Sequence, residues 1–432
     1  MFSFEEYLIR FNFRQRLFLP QQNWCRSPLV SSSFFPVGIS PLVSAMVFSK
    51  IQYDLSDVHL HYFNMLASLL IICTTKKGLS LEPLIGAIAA GNAAVLKPSE
   101  LAPACSSLLA NLIPLYLDKN AIKVVEGGVT IAGQLLEKKW DKIFFTGSPR
   151  VGRAVMTAAA KHLTPVTLEL GGKCPAVIDS LVNSMDIKVA IKRLLGGKYG
   201  SCCGQACIGI DYLLVDEKFA PVLVDSMKVG IKKLFGENPR EINSLSRIIN
   251  KQHFLRLKNF LNDEEVKASV VYGGSFDEEN LFIEPTILLD PPLKSDIMTE
   301  EIFGPLLPII TLKNIGDSID FINSRPKPLA LYVFTNNAAL KTRMISETSS
   351  GCLYLIDTIP FGGVGQSGFG RYHGKFSFDT FSHEKPVIRR GFFPDLWFGY
   401  PPWTAHRLDL IRAALNFDYL RFLLLVLGWN RT

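Results

Sequence analysis

Between residues 80 and 172 the apolar residues switch repeatedly between helical and strand spacing, and this alternation constrains the fold more than any other feature of the chain. Leu81, Leu84, Ile85, Ile88 and Ala89 recur at helical spacing and stop at Gly91. A strand, AAVLKP at 93–98, follows, then a helix capped at Ser99 that runs through the LLANLI stretch. A strand at 121–125, a helix at 131–138, the strand KIFFTG, the helix VGRAVMTAAAKHL and the strand TPVTLEL complete the series. Strictly alternating strands and helices are βαβ units, which predict an α/β fold with a doubly wound parallel sheet. Ligands of such sheets bind at the C-terminal ends of the strands.

After Gly172 the alternation continues with a strand near 176–178, a helix near 187–195, and a turn rich in Gly and Cys, GGKYGSCCGQACIG. The strand YLLV, a helix over 226–234 and the strands EPTILL, LPIITL and LYVF lead to a glycine-rich run, PFGGVGQSGFGRYHG. We expect a dinucleotide-binding domain over 71–172, a second, catalytic α/β domain over 173–349, and a segment over 350–432 holding the glycine-rich loop, an oligomerisation element and a C-terminal tail. Residues 1–70 are read apart from these. From Tyr7 to Tyr53 there is no Asp or Glu, while Arg10, Arg14, Arg16 and Arg26 lie among Ser and Phe. That composition suits either a transit peptide or an atypical start without a targeting role. The apolar stretch from Tyr62 to Cys73 falls short of the roughly 20 residues that cross a bilayer and reads as a buried segment.

Charge and cysteine content narrow the function classes. The net charge of +7 comes from 46 basic and 39 acidic residues scattered along 432 positions, not from a basic stripe with interleaved aromatics, so a nucleic-acid partner is not expected. Eight cysteines without scaffold spacing, in a chain long enough to bury its own core, point to a reducing compartment, which we take as the cytoplasm. Targeting to an organelle or association with a membrane is the alternative. Seven dispersed histidines and the lack of a second ligand pair near SCCGQAC argue against a metal site.

Four stretches carry candidate chemistry. The run Gly363–Gly368 matches G-x-G-x-x-G in letters, but it follows Pro and leads into more Gly and aromatics, so it reads as a loop and not as a dinucleotide fingerprint. KIFFTGSPRVGR is the better phosphate candidate: a strand ends at Gly147 and a helix begins near Gly152, which offers free N–H groups at a helix N-terminus. An ordinary βα turn is the alternative. Lys97 and Glu100, just past a strand end, suit either a cofactor ribose or a surface charge pair. Cys207, in a Gly-flanked turn before a strand, is a candidate nucleophile or a structural thiol. Glu169, a carboxylate inside the apolar strand VTLELGG, is costly to bury unless it pairs with Lys173 or serves as a base with a raised pKa.

Taken together, LSLEPLIGAIAAGNAAVLKPSE, KIFFTGSPRVGR, VTLELGGK, GQAC, EEIFGP and PFGGVGQSGFGRYHG, in that order over residues 78–432, resemble the aldehyde dehydrogenase superfamily. KPSELAP and the YHGKFSFDTFSHEK tail look most like its class 3 and fatty-aldehyde members. The resemblance implies NAD(P)-dependent oxidation of an aldehyde, with medium or long aliphatic chains expected, by a homodimer. It makes Cys207 the nucleophile, through a thiohemiacetal and a thioester, and Glu169 the residue that activates water. It also makes Lys97 and Glu100 the adenine-ribose contacts, Gly147, Ser148 and Gly152 the turn beside the pyrophosphate, and Glu301 and Phe303 the contacts near the nicotinamide. A carboxylate at Glu100 repels a 2′-phosphate, which favours NAD while NADP stays possible. Cys202 and Cys203 stand where such proteins often carry Asn, and a vicinal pair beside Cys207 could oxidise with it.

Two departures from the family pattern matter. The Asn that donates to the developing alkoxide is replaced by Thr74, and the loss of such a donor is worth about 3 kcal/mol. The segment between Ser350 and Asp357 is short, which alters the expected substrate tunnel. These changes leave room for a catalytically silent homologue that acts as an interaction protein. The C-terminal run Phe422–Trp429, flanked by Arg421 and Arg431, suits contact with a membrane surface or docking on the fold, but is too short to span a bilayer.

Overall fold

The protein is described here from a computed structural model covering residues 59–63, 69–72, 77–200, 202–242, 245–353, 360–388, 391–392 and 395–429. Thr74 and residues 354–357 of the shortened segment lie outside the described residues, as do 1–58.

The predicted alternation produces strands β1 (Leu69–Ile72), β2 (Ala94–Lys97), β3 (Ile122–Val124), β4 (Lys142–Gly147) and β5 (Val166–Leu170). A second set follows: β6 (Pro175–Ile178), β7 (Tyr212–Asp216), β8 (Val270–Tyr272), β9 (Thr286–Leu289), β10 (Leu306–Leu312) and β11 (Tyr332–Phe334). Strand β12 (Gly368–Phe369) then returns to the first set. The first sheet has the order β12-β5-β4-β1-β2-β3 and the second β11-β6-β7-β10-β9-β8. Pairing is parallel throughout except for β12 on β5 and β8 on β9.

Both faces of each sheet are buried, which is why the strands read as continuous apolar runs. In the second sheet Ala176, Leu213, Val215, Leu307 and Ile309 enter one core, while Val177, Tyr212, Leu214, Leu306 and Ile310 enter another on the opposite face. In the first sheet Ile71, Leu96 and Phe144 face one core, and Ile143, Phe145, Leu168 and Leu170 the other. The apolar segment expected to be buried before Cys73 contributes β1, which lies between β4 and β2 at the sheet centre. Helix-covered parallel sheets of this kind are the expected α/β class. Both sheets fall within one compact unit, residues 60–386; residues 387–432 belong to a second. In that second unit, helix Tyr419–Val426 packs on helix Ala405–Leu415 through Phe398, Leu410, Phe422 and Leu425.

Local chemistry differs from expectation in three places. Ser99 does not cap a helix; its hydroxyl accepts from the Leu101 N–H at 3.2 Å, and the helix begins at Pro103, whose ring presets φ and lacks the N–H that a first turn leaves unused. Helices Lys251–Asn262 and Ala338–Glu347 have apolar faces that the strand-dominated pattern around them concealed. The glycine run at 363–368 is a turn, as expected, but it ends in β12, which pairs Gly368 opposite Glu169.

Gly368 has φ +118°, and a Cβ there would lie 2.0 Å from the Leu168 carbonyl oxygen, a rigid backbone atom. Replacing Gly368 by Ala is therefore expected to cost about 3 kcal/mol or more in urea unfolding, against about 1 kcal/mol for Gly374→Ala, whose Cβ meets nothing within 4 Å. Equal costs at the two positions would contradict this account of β12.

Candidate active site

Parallel pairing aligns the strand ends. Ile72 stands opposite both Lys97 and Phe145, and Thr146 stands opposite Glu169, so Lys97, Gly147 and Glu169 share the C-terminal edge of the first sheet. This is where a doubly wound sheet places its ligand.

Glu169 is 2% exposed. Its Oε2 accepts from the Thr146 hydroxyl and the Tyr372 hydroxyl, each at 3.0 Å, and its Oε1 has no hydrogen-bond partner. Lys173, the alternative partner weighed from sequence, instead forms a short ion pair with Asp211 and donates to the carbonyls of Ile297 and Glu300 at 2.7 and 2.9 Å. Without a cation bonded to it, Glu169 is held above the usual carboxylate range, at about 7, by burial; the two hydroxyls and the nearby His373 pull in the opposite direction and do not overcome it.

Cys207 lies in the expected turn ahead of β7, half-buried against the core cluster that also contains Tyr372. Three tertiary contacts hold that turn. The Cys174 thiol donates to the Cys207 carbonyl at 3.3 Å and accepts from the Ala330 N–H at 3.3 Å. The Tyr332 hydroxyl donates to the Ile208 carbonyl at 2.5 Å. Gln205 donates to the carbonyls of Cys202 and Arg247 and accepts from the Ile249 N–H. Gly204, with φ +75°, lets the turn lie against the Gly304 backbone, where a Cβ would meet the carbonyl oxygen at 2.1 Å. Burial raises the Cys174 thiol well above its ordinary range and pushes Cys203 up to about 12. Neither suits a nucleophile.

Glu301 reaches the same edge. A Cβ on Gly171 would come within 2.4 Å of both its carboxylate oxygens, so its position requires glycine there. Asp211 fixes the segment by accepting from the Ile302 N–H at 2.9 Å, and Arg256 donates to the Glu301 and Ile302 carbonyls at 3.0 and 2.5 Å. Burial, reinforced by Asp211, raises Glu301 to about 8. Phe303 follows with φ +50°, a conformation that turns the chain toward Gly304.

The remaining cofactor candidates lie at or just after the C-terminal ends of β2 and β4. Helix Pro149–Ala160 starts directly after β4, its N-terminus capped by Ser148, whose hydroxyl accepts from the Val151 N–H at 3.4 Å. At Gly152 a Cβ would meet Leu170 at 2.9 Å, and at Gly147 one would meet the Phe145 ring at 2.5 Å, so the turn is cut close to the sheet. Lys97 is 2% exposed yet keeps its charge partner: its ammonium donates to Glu100 and to the Pro98 carbonyl, both at 2.9 Å. Burial pulls Glu100 upward, but the Lys97 hydrogen bond and charge leave it below the usual carboxylate range. One member of this pair is buried and the other exposed, with side-chain exposures of 3% and 41%. Among the described residues no group of His, Cys, Asp and Glu could hold a metal ion, and no helix is long and apolar enough to cross a membrane.

Thr146, Tyr372, Cys174, Tyr332 and Asp211 complete the site but were not singled out from sequence. Tyr372 lies in the quoted RYHG motif, yet its partner Glu169 is 203 positions away. Only folding joins them.

This architecture is a two-sheet α/β fold with a buried carboxyl at one strand end and a half-buried thiol in a turn packed against the core cluster that contains the carboxyl's partner Tyr372. Residues 78–387 match the aldehyde dehydrogenase family. The chain is 58% identical over 361 residues to aldehyde dehydrogenase family 3 member F1 of Arabidopsis thaliana, covering 82% of this chain and 75% of the relative. It is 48% identical over 362 residues to family 3 member A2 of Rattus norvegicus, covering 81% and 73%. The solved substrate-bound state of Staphylococcus aureus AldH superposes with a TM-score of 0.75 at 41% identity, over 81% of this chain and 77% of that one. An NAD-dependent aldehyde dehydrogenase of Sinorhizobium meliloti gives 0.69 at 28% identity, over 77% and 68%. The chain belongs to the aldehyde dehydrogenase family, whose members oxidise aldehydes with NAD(P).

The raised Glu169 makes stability depend on pH. Folded, it keeps its proton up to about 7, whereas the free side chain loses it near 4.5. Its contribution is therefore full below about 4.5 and declines as pH rises through 7, by about 3 kcal/mol in total. Glu169→Gln is expected to gain that much on wild type between pH 4.5 and pH 8 in urea unfolding; a difference independent of pH would count against a buried, proton-holding Glu169.

Proposed function

We propose that the protein oxidises medium or long aliphatic aldehydes to carboxylic acids with NAD, using Cys207 as nucleophile and Glu169 as base. The observation that carries this reading is the buried Glu169 carboxyl, poised near neutral pH and bonded to Tyr372, a residue of the core cluster against which Cys207 packs. The Cys207 thiolate adds to the aldehyde carbon, and the carbonyl π pair moves onto oxygen to give a thiohemiacetal alkoxide. The nicotinamide cofactor, when bound, supplies the hydride acceptor. Loss of hydride leaves a thioester on Cys207. Glu169 then takes a proton from water as the water oxygen attacks the acyl carbon, the C–S bond breaks, and Cys207 leaves as thiolate with release of the acid.

Lys97 and Glu100 are assigned to the adenosine ribose, where the Glu100 carboxylate favours NAD over NADP. Gly147, Ser148 and Gly152 are assigned to the pyrophosphate, and Glu301 and Phe303 to the nicotinamide side. In this reading residues 71–172 serve as the dinucleotide-binding domain and 173–349 as the catalytic domain, and the enzyme works as a cytoplasmic homodimer. The exposed Leu420, Leu423 and Trp429 around the last helix suit peripheral contact with a membrane surface.

A second reading, a silent homologue acting as an interaction protein, is favoured by one feature: Thr74 in place of the alkoxide-binding Asn. One kinetic series separates the two. Purified protein with NAD and hexanal is expected to form NADH, Cys207→Ser to form none, and Glu169→Gln to give a burst without steady turnover. Thr74→Asn is expected to raise the rate by up to about a hundredfold. Equal rates in wild type and Cys207→Ser sink the mechanism, and no NADH from wild type or Thr74→Asn leaves the silent reading.

A further inference from the structure

Beyond Tyr372 the contacts continue toward the surface, through groups that the mechanism above does not use. His373 follows Tyr372, and its Nε2 lies 2.9 Å from Glu82 Oε2. The imidazole stacks on Phe361, with centroids 5.2 Å apart and planes at 12°, and meets the Tyr372 ring edgewise at 4.3 Å. The backbone here is over-determined. Phe361 and Tyr372 exchange N–H···O bonds at 3.0 and 2.9 Å, and the His373 N–H donates to Ser377 Oγ at 2.9 Å. His373 itself has φ +85°, a conformation costly for a residue with a Cβ and retained only where surroundings impose it.

Glu82 arrives from another element, helix Lys77–Ala89. One turn later on that helix is Gly86, where a Cβ would meet Ser377 at 2.7 Å and the Phe381 ring at 3.0 Å. Glycine thus allows the helix to close on the segment that follows His373. A half-exposed carboxylate is thereby linked, through one imidazole and one phenol, to a carboxylate buried at a strand end.

We propose that Glu82 and His373 are positioning residues for Glu169: the Glu82 carboxylate holds the His373 imidazole, which fixes the Tyr372 hydroxyl on Glu169 and sets the electrostatic field in which that base works. The proposal rests on Glu169 acting as the base.

The charges at the two ends oppose each other. Glu169 faces Thr146 and Tyr372, with His373, Glu82 and Cys352 within electrostatic reach. His373 pairs with Glu82 and acts on Glu169 only through its field. Its charged sequence neighbours are engaged elsewhere: Arg371 lies over the Phe376 ring at 4.8 Å, and Lys375 pairs with Asp379 at 3.5 Å. A charged imidazole favours the Glu169 carboxylate, and Glu82 acts in the opposite sense with the smaller effect. Removing His373 alone leaves Glu82 acting unopposed on the base. Removing Glu82 withdraws the smaller charge but also the partner that favours the imidazolium.

The test is release of hexanoate from the acyl-enzyme, followed by quenched flow across pH in the full-length enzyme with NAD. Rates are taken per acylated site from the NADH burst, which removes any loss of folded protein. Asn tolerates positive φ, so His373→Asn keeps the backbone. In His373→Asn the acid limb of the release profile is expected to move about one pH unit to higher pH, and in Glu82→Gln about half as far. Adding Glu82→Gln to His373→Asn is expected to bring the limb back toward wild type, which loss of packing alone does not do. Profiles that overlay wild type, or a double variant displaced further than His373→Asn, overturn the proposal. Glu169→Gln separates this failure from the earlier one: if it releases hexanoate at the wild-type rate, Glu169 is not the base. If it is slow while the His373 and Glu82 profiles overlay wild type, only the present inference falls.

Discussion

Placing an ionisable carboxyl at the buried end of a parallel strand constrains most of what surrounds it. Glu169 has lost its water, and two hydroxyls satisfy only one of its oxygens. Burial of this kind is unfavourable unless the group stays protonated or is compensated, so the free energy spent on it has to come from the sheet packing around it. That packing is extensive: both faces of β4 and β5 are covered, and β12 closes the edge beside Glu169 through a glycine that no other residue replaces without collision. The result is a carboxyl held near neutrality on a rigid element, which is what its proposed role as base requires.

The thiol turn is held by a different device. The role proposed for Cys207 needs a reachable thiol, so its turn cannot be stabilised by burying that thiol. Instead the backbone around Cys207 is fixed from outside, by Cys174 and Tyr332 on successive carbonyls and by Gln205 on the preceding residues. Of the cysteines nearby, Cys174 and Cys203 are buried, and burial makes them poor thiolates, which leaves them to packing and hydrogen bonding. The Asp211 carboxylate serves a similar end one segment away, tying Lys173 and the Ile302 amide together and thereby seating Glu301 against Gly171.

Much of this was legible in the residues. The βαβ alternation, the strand ends at Lys97, Gly147 and Glu169, and the turn that holds Cys207 each follow from local spacing, because side-chain period and turn chemistry act over a few positions. Where the reading missed, it missed for local reasons as well. Ser99 had the composition of a cap, but the proline four positions on set the helix start. The choice of partner for Glu169 was not legible: Lys173 was near in sequence, while Thr146 and Tyr372 are 23 and 203 positions away.

The sequence by itself determined the α/β class and the family, since those depend on short-range pattern and on ordered motifs. The tertiary structure alone decided which groups are charged and which are held. Glu169 is raised because folding removes its solvent, an effect that its two hydroxyl partners do not overcome, and Lys173 pairs with Asp211, just ahead of β7, instead. Protonation and alignment depend on desolvation and on contacts across hundreds of residues, and these exist only once the two sheets have packed.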